Sequence, residues 1–130
     1  MHRRSHLFAL LSLCLAVVLI PARASEPVQK FPDVIAAEVK ARGEGVFDFD
    51  VTVSSLYDSA QRYADGFRVM DEDGTVYGER TLWHDHANEQ PFTRDLDGVT
   101  IPGKVRRVVI QARDRRFGYG GSTVQVALPR

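Results

Sequence analysis

The chain has 130 residues, with 17 Lys and Arg against 17 Asp and Glu, four His and one Cys. Balanced charge on a chain this short argues for one domain and against a nucleic-acid partner. A single cysteine excludes an intramolecular disulfide framework and zinc sites built on several thiolates.

The first 24 residues, MHRRSHLFALLSLCLAVVLIPARA, place Arg3 and Arg4 before an apolar run from Leu7 to Ile20, which Pro21 ends. Ala22 and Ala24 occupy the small-residue positions of a signal-peptidase site, so cleavage after Ala24 is expected. The apolar run is shorter than the roughly 20 residues that span a bilayer. It therefore predicts export, periplasmic or secreted, without a transmembrane anchor after cleavage. Cys14 lies in the leader and lacks a lipoprotein-type cleavage context, so the mature chain has no cysteine. Loss of Arg3, Arg4 and Arg23 leaves that chain mildly acidic.

Residues 25–33 contain Pro27 and Pro32 among polar residues and predict a flexible lead-in to a domain over residues 34–130. From Val34 to Ala41 the apolar positions permit a helix or a strand. Phe47, Phe49, Val51 and Val53 then alternate with Asp48, Asp50, Thr52 and Ser54, the period of a half-buried strand. YDSAQRYADG offers Asp58 or Ser59 as a helix cap and predicts one helical turn before Gly66.

Phe67 to Met70 and Thr75 to Trp83 flank Asp71-Glu72-Asp73-Gly74, the composition of a hairpin turn. Gly74 comes too early for an EF-hand calcium loop. Val108, Ile110 and Ala112 define one strand, and Val124, Val126 and Leu128 another, with FGYGGS read as the loop between them. These glycines lack the lysine and the strand-to-helix context of a phosphate-binding loop. Short strands at regular spacing without a long amphipathic helix predict an all-β sandwich of about seven strands.

From Thr93 to Leu128, TRDLDGVTIPGKVRRVVIQARDRRFGYGGSTVQVAL resembles the closing strands of fibronectin type III and immunoglobulin-like domains. Its parts are a strand ending in Leu96, an Ile101-Pro102-Gly103 link, a long strand, a glycine-rich loop and a last strand. ADGFRVMDEDGTVYG with EQPFTRDLDGV is also similar to small exported bacterial proteins of no assigned function. The resemblance implies an immunoglobulin-like or fibronectin type III-like sandwich and carries no function by itself.

Trp83 to Arg94 reads WHDHANEQPFTR. If the strand from Thr75 continues, His84 and His86 share a face roughly 6.5–7 Å apart at Cα. With Glu89 beyond a turn at Ala87-Asn88 they could hold Cu(II) or Zn(II). The competing reading places Trp83 in the core, with the histidines on a solvated strand face and Phe92 returning inward. Arg94 is expected to pair with Asp95 or Asp97, or to organise the loop that displays Glu89.

Arg106, Arg107, Arg113, Arg115 and Arg116 read as solvated charge guarding a strand edge, or as a docking patch for an acidic partner or anionic lipid headgroups. No serine stands in a nucleophile elbow, and His84 and Asp85 face opposite ways on a strand, so no enzyme is expected. The leading expectation is a small exported, non-catalytic binding module that presents loops or a sheet edge to a protein partner in the cell envelope. The alternative is a periplasmic copper- or zinc-binding accessory protein using His84, His86 and Glu89.

Overall fold

Phe47, Phe49, Val51 and Val53 are all buried while Asp50 between them is exposed, so the alternation in the sequence is the wall of the core. The computed structural model describes residues 14–19 and 28–130. The expected leader and its cleavage site fall largely outside the described residues. Among those described, no helix is long and apolar enough to cross a membrane.

Seven strands follow one another: β1 (Asp33–Gly43), β2 (Val46–Ser54), β3 (Ala64–Met70), β4 (Val76–Thr81), β5 (Phe92–Thr100), β6 (Arg107–Asp114) and β7 (Gly118–Ala127). They form two antiparallel sheets, β1-β2-β5 and β4-β3-β6-β7. The fold is thus all-β, two sheets packed as a sandwich. Phe47 and Phe49 of β2 and Phe92 of β5 face Phe67 and Val69 of β3 and Val108 and Ile110 of β6 across the core. Each such side chain contributes about 1.5–3 kcal/mol through burial, which is how a chain without disulfides holds together. The segment open to helix or strand, Val34 to Ala41, is a strand paired with β2.

Three expectations about local structure are corrected. Residues 55–63 form turns rather than a helical turn, because Asp58 does not cap its own segment. Its carboxylate accepts the Ala64 and His86 amides instead, each at 3.0 Å. The strand expected to end at Leu96 runs to Thr100 through a bulge: Gly98 takes φ +70° and donates its amide to Asp48 Oδ1 at 2.8 Å. FGYGGS is not a loop either. The turn is Arg115 to Phe117, and Gly118, Gly120 and Gly121 belong to β7.

The glycines in β7 make room for the lead-in. A Cβ on Gly120 would lie 2.5 Å from the Phe31 ring, and one on Gly121 would lie 2.1 Å from the Pro32 carbonyl. Ser122 donates its amide to Asp33 Oδ1 at 2.7 Å, closing the seam. Gln29 reaches the Ser54 carbonyl at 3.0 Å, and Arg62 donates to the carbonyls of Gln29 and Lys30. The lead-in is thereby fastened to β7 and to the exit of β2.

Candidate functional site

The registers gather four segments at one end of the sandwich. Asp33 pairs with Ser54, Val53 with Phe92, Gly66 with Thr81, and Ala64 with Asp114, which in turn faces Gly118. The lead-in, the β2–β3 loop, the β4–β5 loop and the β6–β7 turn therefore emerge side by side.

Two buried carboxylates tie them together. Asp114, at the end of β6, is 1% exposed. It accepts the Tyr57 hydroxyl at 2.6 Å from the β2–β3 loop and the Arg116 and Phe117 amides at 2.9 and 2.8 Å from its own turn. Arg62 Nε lies 3.2 Å from Asp114 Oδ1, an ion pair by distance but not an aligned hydrogen bond, since that nitrogen has no hydrogen-bond partner. Burial pushes the Asp114 carboxyl up, but the Tyr57 hydroxyl, the two amides and Arg62 outweigh it and hold the group below the ordinary carboxylate value. Burial, reinforced by the carboxylate it faces, pushes Tyr57 well above the usual phenol range and keeps it a donor. Asp58 does for the β4–β5 loop what Asp114 does for the β6–β7 turn, through its bond to the His86 amide.

The WHDHANEQPFTR segment differs from both readings of its sequence. β4 stops at Thr81, and Leu82 takes the last core position with its amide bonded to the Asp65 carbonyl at 2.8 Å. Trp83 then turns outward and is 82% exposed, not in the core as expected; its carbonyl accepts the Tyr63 hydroxyl at 3.2 Å. His86 is 5% exposed, so the two histidines are not a solvated strand face. Its ring stacks on Phe92 with centroids 4.0 Å apart, and the His84 ring lies tilted beside it at 4.9 Å.

Glu89 is engaged by Arg94 through both oxygens, at 3.2 and 3.0 Å. Arg94 thus organises the Glu89 loop rather than pairing with Asp95, which belongs to Arg80. The imidazoles are adjacent, but no group of three His, Cys, Asp or Glu able to hold a metal forms among the described residues. Met70 lies at the far end of β3 beside the 71–74 turn. Gln90 stitches the loop inward, accepting the Ser55 amide at 2.8 Å and donating to the His86 carbonyl at 3.0 Å.

Burial, with the positive charge of Arg94 and then the neighbouring His84, holds His86 below the ordinary histidine value of 6.5. Its Nδ1 is buried without a partner. Protonation therefore favours the unfolded chain. Stability is expected to be unaffected by this group well above pH 6.5 and to fall as pH drops through 6.5 towards the lower folded value. An NMR titration checks this: His86 should titrate below 6.5, and a midpoint at or above that value would refute it.

The basic residues do not form one patch. β6 lies between β3 and β7, so it is not the sheet edge expected from its charge. Arg107 and Arg113 sit at its two ends, about 20 Å apart at the rise of a strand. Arg113 is held by Asp65 at 2.7 Å, while Arg115 and Arg116 are exposed in the β6–β7 turn. Arg107 instead lines a cleft of about 650 Å³ at the opposite end, with Lys104, Arg106 and the acidic turn 71–73. Asp71 in that cleft is occupied by its own turn, accepting the Asp73 and Thr75 amides and the Tyr77 hydroxyl.

The sequence did not reveal the residues that define the loop end: Leu56, 77% exposed, Phe117, 42% exposed, and the outward Trp83. For Trp83 the available signal was its place directly after Leu82, the last core position beyond β4.

No known protein-family model matches the chain. It is 31% identical over 94 residues, 72% of its length, to a protein of Halomicrobium mukohataei named "Putative lipoprotein". The chain spans 46% of that relative's length. Among solved structures it is similar to the superoxide reductase (1Fe-SOR) from Giardia intestinalis, with a TM-score of 0.42 and 12% identity over 74% of this chain and 99% of that one.

Proposed function

We propose that this is an exported binding module that uses the loop end of a β-sandwich, and performs no chemistry of its own, to engage a partner in the cell envelope. The observation that carries the reading is the pairing of rigid loop bases with exposed apolar tips. Asp58 and Asp114 fix the loops from below, while Leu56, Trp83 and Phe117 face outward. Exposed apolar groups on a rigid scaffold are the ordinary form of an interaction surface. Export is supported by the leader's composition and by the lipoprotein name of the relative.

The sandwich is of the fibronectin type III-like kind in this reading. Constant-type immunoglobulin domains put the fourth strand on the sheet of the first two. Here β4 lies beside β3 on the other sheet.

A photo-crosslinking side chain placed at position 83, compared with one at the exposed Ile35 of edge strand β1, tests the surface in intact envelopes. Adducts at position 83 and none at position 35 are expected. Equal labelling, or labelling at position 35 alone, would move the contact to the sheet edge and overturn the proposal.

A further inference from the structure

We infer that the loop end docks on an anionic lipid surface, inserting Leu56, Trp83 and Phe117 at the level of the headgroups. This deepens the binding-module reading and rests on it. The three side chains come from three adjacent loops. Tyr57, next to Leu56, and the Phe117 amide share Asp114, and Arg62 lies over both the Tyr57 and Phe117 rings, at 3.9 and 5.0 Å. Trp83 joins the same group through Tyr63, whose ring Arg115 covers at 5.2 Å. Across the sheet from β4 to β7, the strand ends that carry Trp83 and Phe117 stand three strand spacings apart, about 15 Å.

Three exposed cations surround them, Lys30, Arg115 and Arg116, and none is in an ion pair among the described residues. Lys30 Nζ and the Arg116 guanidinium flank the Phe117 ring at 4.8 and 5.4 Å. The acids of this end are each engaged within the protein. Asp58 and Asp114 are buried, Asp65 is held by Arg113 and Glu89 by Arg94, and Asp85 and Asp33 cap the Ala87 and Ser122 amides.

Protruding apolar tips with cations beside them suit a deformable surface that needs no matching pockets, and indole favours the interface between headgroups and acyl chains. Basic side chains next to the inserted groups add attraction for anionic headgroups.

Trp83 is the single tryptophan, so its emission reports insertion directly. The purified protein is titrated with vesicles of phosphatidylglycerol mixed with phosphatidylcholine, and with phosphatidylcholine alone. The expected result is a blue shift on the anionic vesicles, quenched by brominated acyl chains and reduced by salt, with at least tenfold weaker partition into pure phosphatidylcholine. Leu56→Asp, on an exposed side chain, and separately Arg115→Glu with Arg116→Glu, should each weaken binding at least fivefold with an unchanged circular dichroism spectrum. No shift on anionic vesicles, equal partition into both kinds, or binding indifferent to both variants overturns the inference. Protein adducts at position 83 without vesicle binding would remove the lipid and leave the binding module standing. Failure of both experiments would remove both.

Discussion

Asp114→Ala is expected to destabilise the domain by about 3–5 kcal/mol, the usual cost of removing one partner from a buried charged network. The loss of the carboxylate leaves the Tyr57 hydroxyl, the Arg116 and Phe117 amides and the Arg62 guanidinium without their acceptor, and the methyl group satisfies none of them. For a domain of this size that corresponds to a fall in Tm of roughly 10–25 °C. The pH dependence identifies the cause. The folded Asp114 carboxyl titrates below its ordinary value of 3.8, so its contribution is complete above that pH and is lost as pH falls through the lower folded value. The gap between wild type and variant should therefore narrow in acid. Urea denaturation at pH 7 and at pH 3 measures both, and a gap that stays constant would mean that the variant acts through packing alone.

The same residue shows where sequence reading stops. Asp114 ends a strand whose alternation is plain, with Val108, Ile110 and Ala112 inward, and parity puts Asp114 inward as well. Parity alone does not show that Tyr57, 57 residues earlier, stands ready to donate to it. Asp58 is a parallel case: a carboxylate in a turn-rich segment reads as a local cap until its partner 28 residues on is known.

Strand periodicity and the 71–74 turn were legible because they depend on neighbours in sequence. The outward turn of Trp83 was not, because it depends on where β4 stops. Leu82 still bonds to Asp65 as the next rung of the β3–β4 pairing, and beyond it Asp58 holds the His86 backbone inward. The candidate site followed the same division. His84 and His86 lie side by side, but both Glu89 oxygens are engaged by Arg94 and no group of three metal-ligating side chains forms among the described residues. The arginines appeared clustered because they are close in sequence, although a strand's rise separates Arg107 from the other three.

Gly121→Ala is expected to cost clearly more than Gly118→Ala, although both glycines have a positive φ, +75° and +81°. At Gly118 nothing lies within 4 Å of the added methyl, so the cost is the backbone term alone, about 1–2 kcal/mol for a side chain held in the left-handed region. At Gly121 the methyl would meet the Pro32 carbonyl at 2.1 Å and Asp33 Oδ1 at 3.0 Å, so the lead-in has to leave its seat. That movement takes with it the Ser122–Asp33 bond, the contact of Phe31 with β7 and the carbonyls that Arg62 holds. A total of about 3–5 kcal/mol follows from adding two or three lost bonds, at roughly 1 kcal/mol each, to the backbone term. Hydrogen exchange distinguishes the two variants without reference to the totals: the Ser122 amide should lose protection in Gly121→Ala and keep it in Gly118→Ala. Equal costs and equal protection would mean that the lead-in rests on β7 without being fastened there, and that the glycines serve only the register shift of β7 against β6 between Ile110 and Ala112.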